Sequence, residues 1–184
     1  MALLCGIDEA GRGCLAGPLV VAGCVLHTPI DGLNDSKQLS EKKRETLFPI
    51  IKEKASYKIV QFEHDEVDTL GLSLCLKRAI ETIKEHFKEY EILMDGNTSF
   101  GVQGIATMIK ADAKVPEVSA ASILAKVTRD RYMVEMDKRY PEYGFAGHKG
   151  YGSALHVRKI EEHGPSPIQR LSFKIKSLRQ PSLF

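Results

Sequence analysis

Two acidic residues follow an apolar run near the start of the chain, and this feature restricts most strongly how the chain can fold. Residues 3–7 (LLCGI) predict a buried strand, and Asp8 and Glu9 come directly after it. Adjacent carboxylates at the end of a buried strand repel each other unless a cation neutralises them. Hard divalent cations such as Mg²⁺ take oxygen ligands of this kind. The pair therefore predicts a metal site at the end of a strand.

A glycine lies on each side of Arg12, shortly after the acidic pair. Gly11 and Gly13 leave the backbone bare, so that it can approach a ligand closely. Arg12 places one fixed positive charge between them. Together with the carboxylates, this segment predicts a metal-dependent site that acts on a phosphorylated molecule.

The hydrophobic pattern of the 184 residues predicts one domain of the α/β class. Further strands are predicted at residues 19–26, 57–62, 91–94 and 104–109. Helices are predicted from residue 41 until Pro49 ends or restarts the helix, over 64–89 with a break at Gly71, over 116–139 and near 153–163. A glycine-rich loop is expected between the last two helices, at residues 143–152.

Two more acidic residues follow predicted strands and offer further metal ligands. Asp95 ends the fourth predicted strand, and Asp112 comes shortly after the fifth. Four carboxylates at neighbouring strand ends would converge at one edge of the sheet and suit two Mg²⁺ ions ~4 Å apart, as in phosphodiester cleavage. Each residue also has a simpler interpretation. Asp95 precedes Gly96 and can form a turn, and Asp112 can cap the segment after it.

Composition narrows the class of protein. The net charge is only +2, but residues 126–184 contain 12 Lys and Arg against 6 Asp and Glu. A basic C-terminal third suits a polyanionic partner, and a solvated basic face would give the same asymmetry. No apolar stretch approaches the ~20 residues of a membrane span, and no signal peptide is recognisable, so a cytoplasmic protein is expected. The four cysteines form no C-x-x-C pair and are expected to be reduced, buried thiols.

Five motifs, in order along the chain, resemble those of the type 2 ribonuclease H family, also called ribonuclease HII. They are residues 8–13 (DEAGRG), 34–40 (NDSKQLS), 95–97 (DGN), 110–112 (KAD) with 118–130 (VSAASILAKVTRD), and 148–152 (HKGYG). The resemblance implies a ribonuclease H-like fold, with a mixed sheet of about five strands flanked by helices and extra C-terminal helices. It also implies a catalytic domain over residues 1–175 and a tail over residues 176–184.

The resemblance assigns roles to single residues. It implies that four carboxylates bind the metal ions and carry catalysis: Asp8, Glu9, Asp95 and Asp112. It implies that Gly11, Arg12 and Gly13 sense the ribose 2′-hydroxyl, partly through the backbone, since this group distinguishes RNA from DNA at one nucleotide. It implies that the ring of Tyr151 packs on the sugar at the RNA–DNA junction and that Lys37 contacts a phosphate near the cut. Without the resemblance, Tyr151 would be a packing residue and Lys37 a solvated lysine.

The implied function is cleavage of the RNA strand in RNA–DNA hybrids and at single ribonucleotides within duplex DNA. The cut would lie on the 5′ side of the ribonucleotide and leave 3′-hydroxyl and 5′-phosphate ends, with Mg²⁺ or Mn²⁺ as the cofactor. We expect a monomer. Two alternatives stay open. A metal nuclease of the junction-resolvase kind would have no 2′-hydroxyl to sense, and an inert nucleic-acid-binding module would lack one of the four acids.

Three other residues have less specific interpretations. Cys14 stands where the family often has proline. His148 is a candidate general base, but a glycine-flanked histidine beside a lysine is more typical of a loop or phosphate contact. Asp130 lies beside Arg129 and Arg131 and is expected to be an ion-pair partner at the surface rather than a metal ligand.

The last five residues (QPSLF) resemble the short peptide with which bacterial proteins dock on the sliding clamp. In this interpretation Leu183 and Phe184 are the apolar anchors, and Gln180 makes the polar contact. The alternative is a frayed tail, or an end that packs on its own domain.

Overall fold

A five-stranded mixed sheet forms the centre of the protein. The computed structural model describes residues 3–33 and 38–175. The strands are β1 (Leu4–Ala10), β2 (Leu19–Leu26), β3 (Ala55–Phe62), β4 (Glu91–Asp95) and β5 (Ala106–Met108). They lie in the order β3-β2-β1-β4-β5, with β1, β2 and β3 antiparallel and β4 and β5 parallel to β1. The predicted α/β class and strand number are confirmed.

The described residues form six α-helices, which flank the sheet and follow it at the C-terminal end. They are α1 (Glu41–Lys54), α2 (His64–Leu70), α3 (Leu72–His86), α4 (Pro116–Arg139), α5 (Phe145–His148) and α6 (Ala154–His163). Short 3-10 turns lie at Ala111–Ala113 and Pro141–Tyr143. The predicted C-terminal helices are therefore present. Among the described residues, no helix is both long and apolar enough to cross a membrane.

The two faces of β2 contribute to two separate cores. All eight residues of β2 are buried, as expected for a strand that is covered on both sides. Val20 packs with α1 and α4 on one face, whereas Val21 packs with α3 on the other. Helix α4 also lies across β1, where a Cβ atom at Gly6 would collide with the backbone of Val118. Gly6 therefore lets α4 approach the strand that carries Asp8.

Several predicted boundaries were wrong, and each error has a physical reason. Strand β1 continues through Asp8 and Glu9, because both residues pair with β2. Helix α1 continues through Pro49. Pro49 cannot donate a hydrogen bond to the previous turn, but burial of Leu47 and Ile51 holds the helix against the core. The fifth strand is shorter than predicted, and the loop at 143–152 contains α5. All four cysteines are buried and none forms a disulfide, as expected.

Candidate active site

Three aspartates converge at one edge of the sheet. Strands β1 and β4 are parallel neighbours with Ile7 opposite Met94, so the next residues, Asp8 and Asp95, lie side by side. Asp112 comes from the 3-10 turn that precedes α4. One carboxylate oxygen from each of the three lies within 4.8 Å of the others. The sequence predicted that four carboxylates converge at this edge, and the structure brings these three together.

Glu9 stands apart from this group but faces the same cavity. Its carboxylate lies 3.8 Å from the Arg12 guanidinium, and its side chain is only 14% exposed. Its second oxygen, Oε2, is buried without a hydrogen-bond partner among the described residues. A buried, unsatisfied carboxylate oxygen is costly, and a cation in the cavity would satisfy it.

Three residues that the sequence did not single out complete the cavity. Its volume is about 360 Å³, and besides the four acids it is lined by Arg44, Ser122 and Lys126. Ser122 and Lys126 lie one turn apart on α4, a spacing that indicates a shared face and was available in the sequence. Arg44 lies on α1, and nothing in the sequence pattern marks it as part of the site.

Burial and the neighbouring carboxylates of the acidic cluster raise the pKa of Asp8 and Glu9. Burial raises the pKa of Asp8 well above its usual range, and the carboxylates of Glu9 and Asp95 raise it further. Burial also raises the pKa of Glu9, with Arg12 opposing the shift and Asp95 adding to it. Carboxyl groups whose pKa is raised in this way release their protons when a cation binds. The donor set, all oxygen and all anionic, therefore suits a hard divalent metal ion.

Backbone hydrogen bonds hold the aspartates in place. Asp8 accepts a bond of 2.8 Å from the N–H of Glu9, and the Ser122 side chain also hydrogen-bonds to Asp8. Asp95 accepts a bond of 2.7 Å from the N–H of Ala111, which ties the end of β4 to the turn that carries Asp112. The three elements that supply the aspartates are thus connected to one another independently of any ligand.

The two glycines around Arg12 have different structural requirements. Gly11 has a positive φ of 86°, and a Cβ atom there would collide with the Arg129 side chain. Gly13 lies outside the left-handed region, and a Cβ atom there would have nothing within 4 Å. The fold therefore explains the glycine at position 11 but not the one at position 13. Arg12 is exposed, and its guanidinium lies 5.1 Å from the centre of the Phe100 ring.

Arg129 joins the segment after the Gly-Arg-Gly turn to the segment before Tyr151. It is fully buried and donates hydrogen bonds to three backbone carbonyls: Ala16 at 2.8 Å, Pro18 at 2.8 Å and Lys149 at 2.6 Å. The backbone N–H of Leu15 adds a bond of 2.9 Å to the carbonyl of Gly150. The two segments are therefore fixed relative to each other.

Tyr151 is 40% exposed and lies next to a residue that lines the acidic cavity. The ammonium group of Lys126, which lines the cavity, is 5.2 Å from the centre of the Tyr151 ring. The Cys14 thiol and the Tyr151 hydroxyl influence each other's pKa, and burial is the main cause that raises the pKa of both groups. Lys126 thus both lines the acidic cavity and lies next to an accessible aromatic ring.

Two of the sequence interpretations need correction or closer definition. Asp130 forms an ion pair, as expected, with Lys126 at 3.3 Å, but it is buried and not at the surface. The pair forms because Asp130 lies one helical turn from Lys126 on α4. Both ring nitrogens of His148 bond to the backbone of its own loop, at Tyr143 and Gly150, so this ring faces no substrate. Lys37 and the tail residues Gln180, Leu183 and Phe184 lie outside the described residues.

A comparison with known protein families identifies the family of this chain. The family model described as Ribonuclease HII matches residues 5–176. The chain belongs to the ribonuclease HII family. It is therefore a ribonuclease H enzyme, an endonuclease that depends on divalent metal ions.

Named relatives and a solved structure agree with this assignment. The chain is 56% identical to ribonuclease HII of Sulfurovum sp., covering 98% of this chain and 96% of the relative. It is 58% identical to ribonuclease HII of Campylobacter concisus over 100% of both chains. Ribonuclease HII of Archaeoglobus fulgidus, solved in a complex with PCNA, superposes with a TM-score of 0.80 at 28% identity and covers 98% of both chains.

Proposed function

We propose that this enzyme cleaves the RNA strand of RNA–DNA hybrids and also cuts at single ribonucleotides within duplex DNA, leaving 3′-hydroxyl and 5′-phosphate ends. The observation that carries the proposal is that Lys126 lines the acidic cavity and also lies 5.2 Å from the centre of the accessible Tyr151 ring. A ring beside the acidic cavity can pack on one sugar while the adjacent phosphate faces the acids.

The acidic cavity is the proposed metal centre. Asp8, Asp95 and Asp112 would hold the metal, with Glu9 completing the set, because its buried Oε2 has no other partner among the described residues. When bound, Mg²⁺ or Mn²⁺ supplies electrostatic stabilisation of the charge that develops on phosphate oxygens. The carboxylates themselves would position the metal, and Lys126 would orient the phosphate beside it.

The Gly-Arg-Gly turn is the proposed sensor of the 2′-hydroxyl. Gly13 is exposed and has neither a positive φ nor a close neighbour, so the fold itself does not require glycine there. A bound nucleotide that approaches the backbone would require it, because any side chain would intervene. The exposed Arg12 would supply a charge toward the nucleic acid backbone.

Substrate contacts outside the cavity complete the proposal. Tyr151 would pack on the sugar at the RNA–DNA junction, and Lys37 would contact a phosphate near the cut. Residues 176–184 would form a tail separate from the catalytic domain, with Gln180, Leu183 and Phe184 docking on a bacterial sliding clamp. The Archaeoglobus relative was solved in a complex with PCNA, which supports clamp docking in this family without identifying the docking residues.

Cleavage of three matched duplexes tests the proposal. One duplex holds a single ribonucleotide, one is an RNA–DNA hybrid and one is DNA only, each incubated with Mg²⁺, with Mn²⁺ or with a chelator. We expect a cut 5′ of the single ribonucleotide, cuts throughout the RNA strand, and none in DNA. Comparable cleavage of the DNA-only duplex would refute 2′-hydroxyl sensing, and cleavage in the presence of the chelator would refute the metal centre.

A further inference from the structure

Two histidines stack against each other beneath the loop that carries Tyr151. The rings of His148, at the end of α5, and His156, in α6, lie 4.1 Å apart between centres and only 11° from parallel. His156 is fully buried, and the Phe145 ring meets both imidazoles edge-on. We call His148 and His156 the histidine pair. The function proposed above uses neither ring.

The hydrogen bonds of His148 define its protonation state. Its Nε2 lies 2.7 Å from the carbonyl oxygen of Tyr143, which can only accept, so Nε2 carries a proton. Its Nδ1 receives a bond of 3.0 Å from the backbone N–H of Gly150, so Nδ1 carries none. His148 is therefore a neutral imidazole, and a second proton would break the bond to the residue before Tyr151.

The hydrogen bonds of His156 define the opposite tautomer. Its Nδ1 lies 2.8 Å from the carbonyl oxygen of Tyr151 and must donate to it. Its Nε2 is buried without a hydrogen-bond partner among the described residues, so a proton there would be buried unsatisfied. The backbone N–H of Tyr151 also bonds to the carbonyl of His148 at 3.0 Å. The histidine pair thus engages the backbone of Tyr151 at its N–H and at its carbonyl.

We propose that His148 and His156 are positioning residues, which as a neutral stacked pair hold the Tyr151 loop in the conformation that places the Tyr151 ring on the substrate. This inference rests on the proposed role of Tyr151. The pair acts through backbone bonds to residues 150 and 151, and neither ring contacts the nucleic acid. The two rings would repel each other if both were protonated, because their centres are only 4.1 Å apart. The neutral pair keeps the hydrogen bonds that hold the loop.

The surroundings of the pair favour neutrality. Burial, with a smaller contribution from the neighbouring His148, lowers the pKa of His156 to about 4 against the opposing effect of the backbone at Tyr151 and Gly150. Burial also lowers the pKa of His148, opposed by its bond to Tyr143 and by Asp137 on α4. A depressed pKa contributes stability that is fully present above the unfolded value of ~6.5 and is lost as the pH falls toward the folded value. The loop is therefore expected to loosen on acidification.

Nitrogen NMR of the histidine rings tests the geometry without using activity. In full-length protein with Mg²⁺, we expect His148 as the Nε2–H tautomer and His156 as the Nδ1–H tautomer at neutral pH. Both should remain neutral as the pH falls below ~6.5, the ordinary value for an imidazole. Protonation of either ring near pH ~6.5, or the reverse tautomer in either ring, would overturn the proposal.

A double-mutant cycle tests the effect on Tyr151. His148→Ala should lower kcat/KM on a single-ribonucleotide duplex about tenfold, since misplacement of an orienting group costs up to ~10²-fold. His148→Asn should recover much of this loss, because Asn Oδ1 can accept the Gly150 N–H in place of Nδ1. In a Tyr151→Ala background, His148→Ala should cost less than about twofold. The control His163→Asn should leave the rate unchanged.

The outcomes separate this inference from the proposed function. If Tyr151→Ala lowers activity and His148→Ala costs the same factor with or without the ring, the pair does not act through Tyr151 and the inference is wrong. If Tyr151→Ala alone leaves activity intact, the sugar-packing role of Tyr151 is wrong, and the ring tautomers still decide whether the pair holds the loop. Variants that do not melt cooperatively are replaced by His156→Asn, which keeps a donor to the Tyr151 carbonyl.

Discussion

The charge of the acidic cluster leads to a prediction in which loss of activity accompanies a gain in stability. Replacing Asp8 by asparagine keeps the size of the side chain and removes one buried carboxylate. At the 4.8 Å that bounds its distance from Asp95, two unit charges repel by about 3.5 kcal/mol at an effective dielectric constant of about 20. The raised pKa of Asp8 means that protonation already relieves part of this repulsion in the wild type. We therefore expect Asp8→Asn to stabilise the metal-free protein by about 1–3 kcal/mol.

The measurement is thermal unfolding in a chelator, paired with cleavage in Mg²⁺. For a chain of this size, about 1 kcal/mol corresponds to about 2–4 °C, so Asp8→Asn should melt roughly 3–10 °C higher. In saturating Mg²⁺ the wild type should gain stability and the variant should gain much less, because a ligand is missing. Cleavage by the variant should be lost. Asp31→Asn, at an exposed position, is the control and should change neither quantity.

The raised pKa of Asp8 determines how the stabilisation by Asp8→Asn should change with pH. A carboxyl whose pKa is raised in the folded state contributes stability that is present below its unfolded pKa of ~3.9 and is lost as the pH rises through the folded value. The advantage of Asp8→Asn should therefore be small near pH ~4 and grow toward pH ~8. A variant that melts lower than wild type in the chelator across this range would refute the argument. So would an equal stabilisation of both proteins by Mg²⁺.

Three further predictions concern recognition and docking. Gly13→Ala should shift the melting temperature by less than about 2 °C yet lower single-ribonucleotide cleavage more than about tenfold, whereas Gly11→Ala should destabilise the fold; unchanged cleavage in Gly13→Ala would refute backbone sensing. Tyr151→Ala should lose about tenfold more activity than Tyr151→Phe, and equal losses would show that the hydroxyl matters rather than the ring. Deleting residues 180–184 should leave cleavage of short duplexes unchanged and lower affinity for the sliding clamp of the same bacterium; equal affinities would favour a tail packed on its own domain.

Local patterns predicted the elements that depend on local chemistry. Residues 19–26 form a strand with the predicted bounds, because a fully apolar run has no other stable environment. Helix α1 begins at residue 41, as predicted, and the Ser40 side chain caps it by accepting a hydrogen bond from the N–H of Lys43. Pro49 misled the prediction, because helix propensity is a weak constraint when neighbouring residues are buried.

In the active site, too, some residues could be predicted from the local sequence, and others are brought in only by tertiary packing. Asp8 and Asp95 were predictable, since both follow apolar runs that become adjacent parallel strands. Arg44 was not, because only the packing of α1 brings it to the acids. The partner of Asp130 was missed because adjacent residues on a helix point in different directions, whereas residues one turn apart meet.

The residues that α4 positions limit where the chain can gain or lose residues within this family. Ser122 and Lys126 line the acidic cavity, and Arg129 holds the segments around Tyr151, all from one rigid helix. The seven residue-to-residue steps from Ser122 to Arg129 correspond to about 10 Å along the helix axis. A single inserted residue between Lys126 and Arg129 would turn the guanidinium by about 100° and remove it from its carbonyls. Insertions and deletions are therefore excluded from this part of α4.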